Sequence, residues 1–297
     1  MPDVIGTLLP AALAFIMFAV GITLVPADFT RLSAQPRAVV AGLIGQLLVL
    51  PAAAWALAIA WDLPPEMAVG LVILGACPGG ASSALITHLA RGSAALSVTL
   101  TAITSLVALV SMPLVVRLGV HAFLGADAAI DVSIERLVRG VFLITTLPVA
   151  AGMLLRARHT RLAERLQVPL GRVATALFVL IVIATFVGQR DAIVAHLPTV
   201  GPAAATLNLV VMATGIGLAL LFRADRRDAI AIAAECGLQN AALGIYVATA
   251  VLGAAALAVP SVVYALLMNV GAFGLIWFGR RWTSPRDSPD RPVPRFV

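Results

Sequence analysis

Charge is what this sequence has least of. Only 11% of its 297 residues are Asp, Glu, Lys or Arg, and lysine is missing altogether. An ordinary soluble domain carries roughly 25% charged residues. Against that scarcity, 61% of the chain is hydrophobic and the mean hydropathy is +1.04. So much apolar surface cannot be hidden in a soluble core of this size, which excludes a soluble enzyme. The two cysteines, Cys77 and Cys236, lie in apolar runs without metal-ligand spacing. They exclude a disulfide framework and a zinc module. The 20 arginines give a net charge of +6. They cluster between apolar runs and at the C-terminus, where membrane topology places them, which excludes a nucleic-acid partner.

What remains is an all-α polytopic membrane protein. Uninterrupted apolar windows fall near residues 5–25, 38–60, 67–89, 94–116, 137–155, 173–189, 199–222, 229–251 and 256–279. Nine spans of about 20 residues each would use about 180 residues and leave short loops. Only Asp3 precedes the first window, and no basic residue does, which favours a retained helix over a cleaved leader. With the N-terminus outside, 16 arginines fall on the inner side. Four, Arg117, Arg136, Arg139 and Arg190, stay on the outer side. That asymmetry predicts a multi-pass inner-membrane protein with an external N-terminus and a cytoplasmic C-terminus. One transmembrane domain is expected over residues 1–279, followed by a disordered tail over 280–297 rich in Pro, Arg and Asp. The stretch 156–172 reads as a basic connector along the inner membrane surface.

Polar chemistry enters the apolar runs at few places. Thirteen of the 14 acidic residues sit at segment ends, in loops or in tails; the exception is Glu235. A carboxylate at bilayer depth costs about 2.5–3.5 kcal/mol, so it needs a partner, a cavity or a cation. Gln239 lies one helical turn away on the same face, and Asn240 follows it. Gly237 weakens the helix between them. A louder interruption is Cys77-Pro78-Gly79-Gly80-Ala81-Ser82-Ser83, where proline removes a helix hydrogen bond and two glycines free the backbone. Irregular backbone survives in a membrane only inside protein or against a water-filled cavity. Ser97, Thr101, Thr104 and Ser105 add hydroxyls along one stripe of the fourth window.

The two interruptions sit in corresponding windows, each followed by one more helix. Gln46 precedes Gly79 by 33 residues and Asn208 precedes Asn240 by 32. The spacing predicts two inverted repeats, about 1–118 and 134–279, as in transporters whose sites lie at paired broken helices.

These residues resemble the bile acid:sodium symporter family, along essentially the whole chain. The most specific stretches are CPGGASSALITHLARGSAALSVTLTAITS (77–105) and ECGLQNAALG (235–244), with LIGQLLVLP (43–51) as a flank. The resemblance implies a core domain of segments two, three, four, seven, eight and nine and a panel domain of one, five and six. Within the core, two broken helices would cross. It also implies two Na⁺ sites. One would use Ser83, Ser97, Thr101 and Glu235. The other would use the side chains of Gln46, Glu235 and Gln239 with the backbone oxygens of Cys236 and Leu238. At Ala84 this sequence departs from the family's asparagine, so the first site lacks one oxygen ligand. The substrate anion would meet the half-helix ends near Ala81, Ser82 and Asn240.

The function expected is secondary active transport: sodium-coupled symport of a bile-acid-like or smaller carboxylate by alternating access. Its partners would be an organic anion, sodium and membrane lipid, and its state a monomer. Ala84 keeps open a carrier of the same fold driven by protons or a single sodium ion. A membrane-embedded enzyme using Glu235 with Cys236 or His88 is a remote alternative, and a passive channel is another.

Overall fold

The computed structural model describes residues 2–24, 35–80, 82–125 and 133–283. Among them the regular structure is entirely helical, apart from one isolated antiparallel bridge between Gly79 and Gln239. Helix is the element this composition forces. In hydrocarbon every backbone polar group must be met within its own segment.

We number the helices in chain order. They are α1 (Pro2–Thr23), α2 (Pro36–Ala60), α3 (Pro65–Gly75), α4 (Ser83–Leu89), α5 (Ala94–Leu124) and α6 (Ile134–Arg158). They continue with α7 (Thr160–Gly188), α8 (Arg190–Leu221), α9 (Arg226–Gly237), α10 (Ala241–Tyr246) and α11 (Val259–Trp282). Helices α2, α5, α6, α7 and α8, and α11 with its leading turn from Ala255, are long and apolar enough to cross a membrane. Three of the expected windows fall instead on shorter apolar stretches, Leu8–Thr23, Pro65–Gly75 and Ala241–Val251. The third and eighth windows are both divided: in the third the helix stops at Gly75 and resumes at Ser83, and in the eighth it is broken at residues 238–240.

Elsewhere the helices outrun the apolar windows. The expected surface connector 156–172 is almost all helix, broken only at His159. Its Arg, Leu, Ala, Glu and Gln residues are strong helix formers, a property that hydropathy does not register. Helix α8 begins at Arg190 and carries Pro198 and Pro202 inside it. Helix α11 runs through Arg280 and Arg281, read from sequence as the start of the tail. There the Arg280 Nε donates to the Leu89 carbonyl at 2.8 Å and Arg281 covers the Trp277 ring at 4.1 Å. Residues 284–297 of the expected tail lie outside the described residues.

Two long helices contain a widened π turn, Gly45–Val49 in α2 and Phe142–Thr146 in α6. Each is followed by Leu-Pro, at Leu50-Pro51 and Leu147-Pro148. A proline inside a helix supplies no N–H and crowds the carbonyl four residues back. The chain widens by one residue just before it: Leu50 N–H bonds Gly45 O, and Leu147 N–H bonds Phe142 O. The first of these turns contains Gln46.

Glycines set the closest helix contacts. A Cβ at Gly21 of α1 would strike the Val149 carbonyl of α6, and one at Gly152 would strike the Phe18 carbonyl. Helix α1 therefore locks against α6, and it also packs on α7. Around α9, every residue from Asp228 to Gly237 is buried. It is enclosed by α8, α5, α4, α11 and α2.

Candidate functional site

The site forms where the two interruptions meet. Gly80 N–H donates to Leu238 O at 2.6 Å, and Asn240 N–H donates to Pro78 O at 3.0 Å. Two short extended stretches thus pair antiparallel in the middle of a helical protein and satisfy each other's backbone. Glycine is required on one side. A Cβ at Gly80 would lie 2.9 Å from Gln239 O, and one at Gly79 would collide with the Glu235 carboxylate.

Glu235 sits in the last turn of α9 and is fully buried. Around its carboxylate stand Ser83 from α4 and Ser97 and Thr101 from α5. Ser83 Oγ donates to Oε2 at 2.9 Å and Ser97 Oγ to the same oxygen at 3.2 Å. Thr101 Oγ1 lies 2.8 Å from Oε1 and 2.9 Å from Oε2. Ser83 and Ser97 hydroxyls are 3.1 Å apart, and Ser83 and Thr101 hydroxyls 3.4 Å apart. Three hydroxyl oxygens and two carboxylate oxygens thus form one buried cluster drawn from three helices. All four residues of the first expected ligand set are brought together. Ala84 is half-buried one position past Ser83.

The second expected set is partly assembled. Gln46 Nε2 donates to Gln239 Oε1 at 2.9 Å and to Cys77 O at 3.0 Å. Gln239 Nε2 donates to Cys236 O at 2.7 Å and to Glu235 O at 3.2 Å. Gln46, Gln239 and the Cys236 carbonyl therefore share one hydrogen-bonded cluster beside the break. The Leu238 carbonyl meets Gly80 N–H, while the Glu235 carboxylate is turned to the hydroxyl cluster. Hard oxygen donors, carboxylate, hydroxyl, amide and carbonyl, are the chemistry that suits an alkali cation; no thiolate or imidazole takes part.

The expected substrate residues are more dispersed. Asn240 Oδ1 accepts the Leu243 N–H at 3.1 Å and so caps α10, while its Nδ2 lies 3.6 Å from Met17 Sδ of α1. Ser82 is exposed ahead of α4, without a side-chain cap bond. Ala81 lies outside the described residues. In the hydroxyl stripe, Thr104 donates back to Thr101 O at 3.2 Å rather than to the carboxylate. Cys236 Sγ abuts Gly45, and His88 is exposed in the last turn of α4.

Sequence reasoning missed one arrangement. Asn208 Nδ2 of α8 and Tyr264 OH of α11 both donate to the carbonyl of Gly237, at 2.7 and 2.9 Å. Asn208 was visible only as a spacing partner of Asn240, and Tyr264 carried no signal. A polar residue 29 positions before Gly237 matches Gln46, 31 before Cys77, and was the available clue.

Comparison with known proteins agrees with this chemistry. Residues 10–196 match the family described as the sodium bile acid symporter family. The sodium-dependent transporter YocS of Bacillus subtilis is 33% identical over 264 residues, covering 87% of this chain and 78% of the relative. The probable chloroplastic sodium/metabolite cotransporter BASS2 of Oryza sativa is 28% identical over 284 residues, 95% of this chain and 66% of that one. Human sodium/bile acid cotransporter 4 is 30% identical over 243 residues, 78% of this chain and 53% of that one. The enzyme reading is thereby set aside, since these relatives are transporters and cotransporters. The chain is a multi-span membrane protein that belongs to the sodium bile acid symporter family of sodium-dependent transporters.

Proposed function

We propose that this protein is a sodium-coupled symporter of an organic anion, working by alternating access. The observation that carries the reading is Glu235: a fully buried carboxylate faced by three hydroxyls at the junction of two interrupted helices. Such a group is rare at bilayer depth and marks an ion or substrate pathway by default.

In this reading Na⁺ binds among Ser83, Ser97, Thr101 and Glu235. A second Na⁺ binds among Gln46, Gln239, Glu235 and the carbonyls of Cys236 and Leu238. Turning over the Gln239 amide would present its oxygen to that ion in place of its NH₂. Sodium would thereby tie α4, α5, α9 and the two breaks into one unit. The substrate's carboxylate would then be met near Ala81, Ser82 and Asn240. Asn240's contact with Met17 supports a substrate path along the seam between α1, α6 and α7 and the remaining helices. Those two groups would be panel and core, rocking against each other within one domain over 1–279.

Nine spans, with the N-terminus outside and the C-terminus in the cytoplasm of an inner-membrane protein, fit the arginine distribution. The inverted repeats gain support from a matched pair of contacts. Gln46 holds the carbonyl of Cys77 ahead of the first break, and Asn208 holds that of Gly237 ahead of the second. A bile-acid-like or smaller carboxylate is the substrate class, carried by a monomer.

The experiment is uptake into proteoliposomes of labelled carboxylates in sodium against choline buffer. Saturable accumulation that requires sodium is expected, and uptake indifferent to sodium removes the reading. Ala84 favours a second reading, a carrier coupled to one sodium ion or to protons. A sodium Hill slope near one that rises in Ala84→Asn supports the one-sodium form of it. Accumulation driven by a proton gradient in choline supports the proton form.

A further inference from the structure

The second break leaves the Gly237 carbonyl without the amide that would meet it in a continuous helix, because Ala241 N–H bonds Gln239 O instead, at 2.9 Å. At this depth an unmet carbonyl is costly. One donor would satisfy it, yet two arrive, from two different helices. Asn208 Nδ2 and Tyr264 OH both reach it, and they also bond each other at 3.1 Å. Asn208 is 2% exposed and Tyr264 fully buried. The result is a closed ring of three hydrogen bonds whose members cannot turn independently. Gly271 of α11 makes room for it, since a Cβ there would collide with Asn208 Oδ1.

Gly237 lies between Cys236 and Leu238, whose carbonyls belong to the proposed second cation site. A peptide unit is a rigid plane, so fixing the Gly237 carbonyl anchors the Gly237 and Leu238 Cα atoms, through which the two neighbouring carbonyls are attached. The other break is held differently. Gln46 grips Cys77 O with the same amide that bonds Gln239, so its clamp is itself part of the Gln46–Gln239 cluster. The Asn208–Tyr264 clamp shares no hydrogen bond with that cluster.

Resting on the symport reading, we infer that Asn208 and Tyr264 are positioning residues for the coupling cation. They fix the Cys236–Leu238 carbonyls as the static wall of the site. The Cys77–Gly80 stretch, gripped by Gln46, is the wall that responds when the cation binds.

The test uses purified full-length protein, wild type, Asn208→Ala and Tyr264→Phe, and reads the sodium concentration at half-maximal thermal stabilisation, with choline as control. Loss of a buried hydrogen bond at the clamp should weaken sodium about tenfold in each variant. Hydrogen exchange on the wild type should show sodium slowing Gly79 and Gly80 more than Leu238 and Asn240. A purely structural role lowers the melting temperature in choline and leaves the sodium midpoint unchanged, which overturns the inference alone. Equal sodium protection of both breaks also overturns it. Should Asn208→Ala fail to fold, Tyr264→Phe decides, because it keeps the ring and one donor. A wild type without any sodium response overturns the symport reading, and this inference with it.

Discussion

At Gly79 a single hydrogen atom decides whether the site exists. A methyl there would occupy the space of the Glu235 carboxylate. Gly79→Ala is therefore expected to fold and insert but to lose at least tenfold in sodium-dependent uptake; a wild-type initial rate would show that the carboxylate has another place to go. Glu235 was legible in the sequence because an acid without a basic neighbour in an apolar run has few explanations, and Gln239 and Asn240 stood beside it. Ser97 and Thr101 were legible as part of a hydroxyl stripe at helical spacing, whereas Ser83, and the grouping of all three around Glu235, came through the family resemblance. Helical spacing alone also selected Thr104, which bonds its own helix instead. Tyr264 was not legible at all. Its role depends on a carbonyl orphaned 27 residues earlier, and nothing local to a tyrosine in an apolar helix reports that.

Among the elements, the interruptions of the third and eighth windows were visible as Pro-Gly-Gly and as Gly followed by Gln-Asn. Their mutual pairing was not, because two three-residue stretches carry no register signal of their own. The π turn around Gln46 was invisible for a different reason: its cause, Pro51, reads in sequence as an ordinary membrane-helix proline. That turn aims Gln46 at Cys77 O and Gln239. Replacing the proline restores an N–H and removes the reason for widening. Pro51→Ala is thus expected to raise thermal stability slightly in choline while weakening the sodium response several-fold. An unchanged sodium midpoint would mean that Gln46 holds its position without the turn. Helix ends were the least readable feature. Hydropathy stops at the apolar residues, whereas helices such as α7 continue into Arg, Glu and Gln that favour the same conformation.

For the whole molecule, scarcity of charge announced a helical membrane protein, and the arginine asymmetry underlies the direction proposed for it. That direction is open to a simple experiment, since Cys77 and Cys236 are both buried. In cells whose outer membrane has been opened, a membrane-impermeant maleimide should label Asp191→Cys at the turn between α7 and α8, which the proposed topology puts outside. It should reach Glu164→Cys only after the inner membrane is breached. The reverse pattern would invert the topology and with it the sense of transport. The proposed mechanism turns on something narrower than topology: an alkali cation held against one buried carboxylate where two broken helices pair. Equilibrium binding of radiolabelled sodium to the purified protein measures this directly, in wild type and in Glu235→Gln. Saturable binding that is lost in Glu235→Gln is the predicted result. Equal binding in both proteins, or none in the wild type, would contradict it.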